Sequence, residues 1–169
     1  MKKIIFTTII IFSTIILFAQ YKGHFNYAYS RPVNNINLSI LGDASLFSVN
    51  YERLFLNISN SFFCTAGVGL GANPKFSLFG PAYLFLSIPH HITANLGNKK
   101  HFFEFGVGGT YINKNPDLDY INYLIAGFRV QPLESNDFYF RIYGCTSISD
   151  IKSGNISIIP FGLSFGISF

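Results

Sequence analysis

The sequence contains no tryptophan, a single methionine and few charged residues. Charged side chains make up 12% of the chain, half of the ~25% that is usual in soluble domains. Phenylalanine, in contrast, occurs 20 times in 169 residues, a length that suits one domain. A soluble domain of this size keeps most of its residues near water and needs a charged surface. The composition therefore suggests that part of the outer surface faces something other than water.

The first nineteen residues form a segment of their own. Lys2 and Lys3 precede a mostly apolar run over 4–18, which ends at the small residue Ala19. This order is typical of a secretory signal peptide, and the run is shorter than the ~20 residues that a transmembrane helix needs. We expect residues 1–19 to be cleaved, so that the mature chain begins at 20; an uncleaved anchor is the alternative. The remaining chain has no basic run, so nucleic acid is not an expected partner.

Cysteine is scarce, with Cys64 and Cys145 as the two examples. They could pair in an oxidising compartment, but the strand pattern described below puts them on opposite faces of distant strands. We therefore expect two free thiols. No His, Cys, Asp or Glu cluster has the spacing of a metal site, and no cofactor is expected.

Period-two alternation is the recurring pattern beyond residue 20, where neither an apolar run of ~18 residues nor a sustained helical period occurs. In the last nine residues, large apolar side chains alternate with glycine and serine. The large face could be the core of a soluble sandwich or the lipid face of a membrane barrel. The alternation predicts eight strands, at about residues 35–41, 46–56, 61–71, 80–92, 101–112, 119–131, 137–147 and 157–169.

The lengths of these segments favour a membrane barrel. Most predicted strands exceed the 5–6 residues usual in soluble proteins and match the ~9–11 of tilted membrane strands. Short polar connections also alternate with longer ones, as in barrels with tight periplasmic turns and longer external loops. We predict an all-β, closed, antiparallel up-and-down transmembrane barrel over 35–169, with both termini periplasmic. Residues 20–34 form an N-terminal arm or an additional strand, and the short external link 42–45 does not fit the scheme.

A glycine run at 65–72 matches the spacing of a dinucleotide-binding fingerprint through Gly67, Gly69 and Ala72. The run leads into an Asn-Pro turn signal, and the next acidic residue, Glu104, is too distant to bind the ribose. We interpret the glycines as inward-facing positions that leave room for bulkier side chains in a narrow barrel.

Several segments resemble small outer-membrane β-barrel proteins of the Bacteroidetes type. They are the signal peptide ending Phe-Ala-Gln and the strands at 48–55, 102–108, 126–131 and 162–169. The resemblance covers residues 44–169 and concerns architecture, not activity. It implies the outer membrane as location, membrane lipid as the surroundings, and Phe169 as a C-terminal signal for the barrel-insertion machinery. Tyrosine and phenylalanine would replace the missing tryptophan of the aromatic girdle.

Glu52, Glu104, Arg129 and Arg141 are strand charges that share the small, polar face. A proton path or an ion-selective constriction is one interpretation. The other is an ion-pair cluster that fills the lumen, because eight strands leave an interior only wide enough for side chains. We expect the second.

A specific contact follows from a turn placed at 115–118. Antiparallel pairing would then set Glu104 directly opposite Arg129, and the next turn would set Gly127 opposite Arg141. A confined charge is costly unless it is paired, so we expect Glu104 and Arg129 to be in contact.

His90 and His91, with Ser87, could be parts of a hydrolase site near a predicted periplasmic turn. No carboxylate lies nearby in the sequence to orient a histidine, so we expect interfacial residues instead.

The sequence thus predicts a monomeric, non-enzymatic integral outer-membrane barrel with a structural or surface-interaction role through its external loops. The alternatives are a lipid-modifying barrel enzyme of the deacylase or acyltransferase class and a secreted soluble β-sandwich that binds a ligand.

Overall fold

The computed structural model describes residues 31–43, 45–75, 83–113, 118–133, 136–148 and 160–169. Eight antiparallel strands form one closed barrel, in which each strand pairs with the next and β1 pairs with β8. They are β1 (Asn34–Leu41), β2 (Phe47–Ser59), β3 (Phe62–Lys75), β4 (Tyr83–Asn98), β5 (His101–Asn113), β6 (Leu118–Val130), β7 (Asp137–Ser147) and β8 (Phe161–Ser168). The predicted all-β, up-and-down barrel is confirmed.

The N-terminal segments fall largely outside this description. The signal peptide at 1–19 and residues 20–30 of the predicted arm lie outside the described residues. Residues 31–33 lead into β1, which begins one residue earlier than expected. Within the described part of the chain, no helix is long and apolar enough to cross a bilayer.

The end of β4 was predicted wrongly. The strand continues to Asn98 and does not end at 92, and Pro89 lies inside it. Pairing of β3 with β4 lapses between the Val68–His90 and Gly71–Ser87 pairs, and a proline, which has no N–H to donate, is tolerated there. Both histidines next to Pro89 therefore lie within the strand and not at a turn.

The links differ between the two ends of the barrel. At the short-turn end, where β1 begins and β8 ends, the links are 60–61, 99–100 and 131–136. At the opposite, long-link end, they are 42–46, 76–82, 114–117 and 148–160. The predicted contrast holds only in part, because 42–46 and 114–117 are both shorter than 131–136.

The two faces of the sheet have inverted polarity. Along β8, Ser164 and Ser168 are buried inside, whereas Phe161 and Phe165 are exposed outside. The largest fully buried side chains of the described residues include two arginines, two glutamates, a glutamine and two asparagines. The barrel therefore has a polar core and an apolar exterior, with a small buried apolar cluster around Tyr123 near the long-link end.

Glycines on the inner face make room for larger side chains. A Cβ on Gly67 would lie 2.6 Å from Nε2 of His91, and one on Gly108 would collide with the ring of Tyr123. A Cβ on Gly69 would collide with the amide of Asn50. The run at 65–72 is part of a strand whose glycines face side chains from neighbouring strands, as expected.

Candidate functional site: the charged lumen and its closures

Arg129 lies between two carboxylates at the centre of the barrel. Its Nη1 and Nη2 donate to Oε1 and Oε2 of Glu52, both at 2.7 Å, and its Nε donates to Oε2 of Glu104 at 2.7 Å. Nε of Arg141 donates to Oε1 of Glu104 at 2.7 Å. The structure thus brings all four predicted lumen residues into one chain of ion pairs, with two positive and two negative charges fully buried.

The register predicted for this contact was wrong by two residues. Glu104 lies opposite Gly127, and Arg129 lies opposite Phe102. Arg141 lies opposite Arg129 and not opposite Gly127. A shift of two residues keeps every side chain on its original face, and the long arginine side chain spans the diagonal, so the ion pair forms despite the error.

His91 also belongs to the cluster, and sequence reasoning missed it. Its Nε2 lies 3.1 Å from Oε2 of Glu52, and the side chain is almost fully buried. Glu52, Gly67 and His91 occupy one row across β2, β3 and β4. The glycine in the middle leaves a gap through which the carboxylate and the imidazole meet. The carboxylate that orients His91 comes from a strand that is not adjacent to β4, so proximity in sequence could not reveal it.

Aromatic rings and amides fill the lumen around these charges. The guanidinium carbon of Arg129 lies 5.3 Å from the ring centre of Tyr139, and that of Arg141 lies 3.9 Å from the ring centre of Tyr143. Toward the short-turn end, Asn35 donates to Oε1 of Glu52 at 2.9 Å and accepts hydrogen bonds from Gln131 and Ser168. The inner side chains are therefore linked to one another as a packed polar core.

The short-turn end is closed by Arg31, which precedes β1. Its guanidinium donates to the carbonyl oxygens of Asn60 and Lys99, in two different turns, at 2.8 Å each. It also lies over the rings of Phe63 and Phe102, at 5.4 and 4.5 Å from their centres. Burial lowers the pKa of Arg31. This side chain ties the chain entering β1 to the far side of the opening.

The suggested hydrolase residues are not assembled. Ser87 shares a hydrogen bond of 2.6 Å with Ser45, while His91 contacts Glu52. His90 points outward, where its Nε2 lies 2.9 Å from the hydroxyl of Tyr120 and its ring stacks on the same tyrosine. The expected position of His90 beside a periplasmic turn was wrong, because it lies within β4 on the outer surface.

Three other predicted positions can be placed. Cys64 faces outward and Cys145 is buried inside; both thiols are free, as expected. Phe169 exchanges two backbone hydrogen bonds with Asn34, of 2.8 and 3.0 Å, and so closes the seam between β8 and β1. Its side chain is exposed outside the barrel. Among the described residues, no group of three or more His, Cys, Asp or Glu residues is arranged to hold a metal ion.

The fold and the lumen define a closed, eight-stranded up-and-down β-barrel with a charged, filled interior and an apolar exterior. In comparisons with known proteins, no family model, curated protein or solved structure matches this chain.

Proposed function

We propose that the protein is a non-enzymatic integral outer-membrane barrel of the type found in Bacteroidetes, with a sealed lumen and a structural or surface-interaction role. The observation that carries this proposal is the inverted polarity of the barrel. Phe103, Phe105, Leu70 and Phe161 are each more than half exposed, whereas Glu104 and Arg129 are completely buried. A water-soluble barrel would place these two sets the other way round.

The exterior is apolar along most of β1, β3 and β8. Outward residues of β1, β3 and β8 are isoleucine, leucine, valine, phenylalanine, alanine and one cysteine over most of their length. Contiguous apolar surface of this extent causes aggregation in water unless something covers it, and the hydrocarbon of a bilayer covers it at no cost. Arg53 faces outward but lies opposite Asn34, close to the short-turn end, where its guanidinium can reach the lipid headgroups.

Aromatic side chains mark two levels on the outside of β5 and β6. Tyr111 and Tyr120 pack with ring centres 4.4 Å apart near the long-link end, and Phe103 packs against Phe128 near the short-turn end. Eight residues along β5, at ~3.4 Å each and with a tilt of ~40°, separate the two levels by about 20 Å along the barrel axis. This separation approaches the ~25 Å height of the apolar band between the aromatic girdles of membrane barrels.

A filled lumen argues for a role other than transport. The chain of ion pairs from Glu52 to Arg141 crosses the interior, and Arg31 covers the short-turn end. An eight-stranded barrel has room for these side chains and no aqueous channel beside them. Interaction with other molecules is then left to the links at the long-link end, which we place on the cell surface.

Cell fractionation combined with gel mobility tests the proposal. The mature protein should sediment with outer membranes, require detergent for extraction, and migrate faster on a gel before heating than after it. Recovery in a soluble fraction without detergent would contradict membrane insertion. Release of fatty acid from phospholipid or lipid A by the purified protein, abolished by His91→Ala but not by Cys64→Ser, would instead establish the enzyme alternative.

A further inference from the structure

The link between β1 and β2 folds across the long-link end and into the barrel. Asp43, at its tip, is completely buried. Tyr143 of β7 donates to Oδ2 of Asp43 at 2.8 Å, and Thr110 of β5 donates to the backbone carbonyl of Asp43 at 2.5 Å. Ser45 shares its hydrogen bond with Ser87 of β4. A five-residue link is thus anchored to three strands, none of which is adjacent to β1 or β2.

The backbone of this link is strained. Leu41, Gly42 and Asp43 have φ angles of 62°, 65° and 46°. The left-handed region is easily adopted by glycine but costs ~1–3 kcal/mol for other residues, and such strain persists only where surrounding contacts impose it. Here the imposing contacts are those of Asp43 and Ser45 inside the barrel. Withdrawal of the turn would therefore relieve strain while it breaks hydrogen bonds.

A hydroxyl donor, a thiol and a nearby positive charge surround the Asp43 carboxylate. The Tyr143 hydroxyl binds one oxygen, and Sγ of Cys145 lies 4.0 Å from the other. The guanidinium of Arg141 lies against the ring of the same tyrosine, so that a positive charge stands behind the hydroxyl donor. Tyr123, which shares a 3.2 Å hydrogen bond with Thr110, completes the buried wall. Without the Asp43 carboxylate, the Tyr143 hydroxyl would keep only its longer hydrogen bond of 3.4 Å to the carbonyl oxygen of Leu41, and a buried donor of this kind favours a better partner.

We propose that the long-link end contains a carboxylate-binding cup, and that Asp43 on the β1–β2 turn is an internal occupant that leaves the cup to admit a small carboxylate. The cup consists of Thr110, Tyr123, Tyr143 and Cys145, with Arg141 below it. This inference is independent of the membrane location, since it concerns only the interior of the folded barrel.

Cys145 reports directly on opening of the turn. In a Cys64→Ser background, the folded protein in detergent is treated with a water-soluble maleimide at increasing urea concentrations below the unfolding transition. If the turn opens on its own, the rate of Cys145 labelling should depend little on urea concentration. Labelling should also occur while the barrel still migrates as folded protein on an unheated gel. Labelling that tracks global unfolding at every urea concentration would overturn the hinge, because exposure of the thiol would then require the whole barrel to open.

Chemical rescue tests the chemistry of the cup. In the same background, Cys145 of the Asp43→Ala variant should be labelled at least ten times faster than Cys145 of the parent. Acetate should slow this labelling again, and sodium chloride of equal ionic strength is the control. Tyr143→Phe, added to Asp43→Ala, should abolish the protection by acetate. Equal effects of acetate and chloride would overturn the carboxylate site. If Asp43→Ala does not fold, the effect of acetate on the parent decides. Faster labelling of Cys145 in acetate would mean that acetate displaces Asp43, which supports the proposal. An unchanged labelling rate would contradict it.

Discussion

Arg129 and Arg141 face each other as direct cross-strand partners inside the barrel, although both carry positive charge. Like charges in this position repel, and burial removes the water that would screen them. Glu104 resolves the conflict because its two oxygens serve different arginines: Oε2 binds Arg129 and Oε1 binds Arg141. The pairing of β6 with β7 therefore depends on a carboxylate supplied by β5.

Glu104 and Arg129 should be strongly coupled in a double-mutant cycle. Glu104→Gln leaves two buried guanidinium groups facing each other, and removal of one partner of a buried pair typically costs ~3–5 kcal/mol. The double variant with Arg129→Gln should lose less free energy of unfolding than the two single losses combined, by ~1–3 kcal/mol. Urea unfolding in detergent micelles provides the measurement.

The exposed pair of Lys100 and Asp137, whose charged atoms lie 3.1 Å apart at the short-turn end, is the matched control. The same cycle with Lys100→Gln and Asp137→Asn should show no coupling beyond error, because water screens a surface pair. Strict additivity at Glu104 and Arg129 would mean that these two side chains do not interact.

Gly67→Ala should disturb the contact between His91 and Glu52. The new Cβ would lie 2.6 Å from Nε2 of His91, so the imidazole must move away from the carboxylate. Overpacking of this kind costs ~1–3 kcal/mol of unfolding free energy. The double variant with His91→Ala lacks the obstructed ring. It should therefore lose much less free energy of unfolding than the two single losses combined. Fully additive losses would show that the glycine is required for another reason.

Arginine on the outer face should destabilise the barrel more strongly the deeper it lies in the bilayer. Phe105→Arg and Phe165→Arg place a charge in the proposed hydrocarbon layer and should each cost ~2–4 kcal/mol in a lipid bilayer. Phe138→Arg, at the short-turn end of β7, should cost only ~0–1 kcal/mol. The free energy of unfolding of the three arginine variants is measured in lipid vesicles, with Phe105→Leu as the control for loss of the phenyl ring. Equal, negligible effects at 105 and 165 would contradict a lipid-facing exterior.

Arg31→Ala should weaken the closure of the short-turn end. The variant loses two charge-assisted hydrogen bonds to turn carbonyls and two ring contacts, for a loss of ~2–4 kcal/mol in unfolding free energy. Arg53→Ala, an outward arginine near the same end, should have little effect in detergent. Equal losses of unfolding free energy in Arg31→Ala and Arg53→Ala would show that Arg31 does not link the two turns across the opening.

The strand pattern and the inward charges could be predicted from sequence because both depend on local alternation. The polar face of each strand can be read from every second residue, so Glu104 and Arg129 were assigned to the lumen correctly. Their register was not, because the link between β5 and β6 lies at 114–117, one residue earlier than the predicted turn, and this displacement shifts every pair by two residues.

Apart from the place of Glu52 in the charged cluster, contacts between strands that are not neighbours could not be predicted. Glu52 reaches His91 over an intervening glycine, and Asp43 on the β1–β2 turn reaches Tyr143 although β7 is adjacent to neither strand. Both depend on closure of the sheet, which brings distant strands together around a narrow interior. The short link at 42–45, which did not fit the pattern of external loops, is explained by its fold into the barrel.

Lipid exposure at Val107, a half-exposed outward residue near the middle of β5, tests the central claim most directly. A spin label is attached to Val107→Cys in a Cys64→Ser, Cys145→Ser background, and the protein is inserted into phospholipid vesicles. Collisions with oxygen, which concentrates in hydrocarbon, and with a water-soluble nickel complex are then measured by electron paramagnetic resonance. A barrel that spans the membrane gives frequent collisions with oxygen and few with nickel. Collisions with nickel as frequent as those of the free label in water would contradict the account.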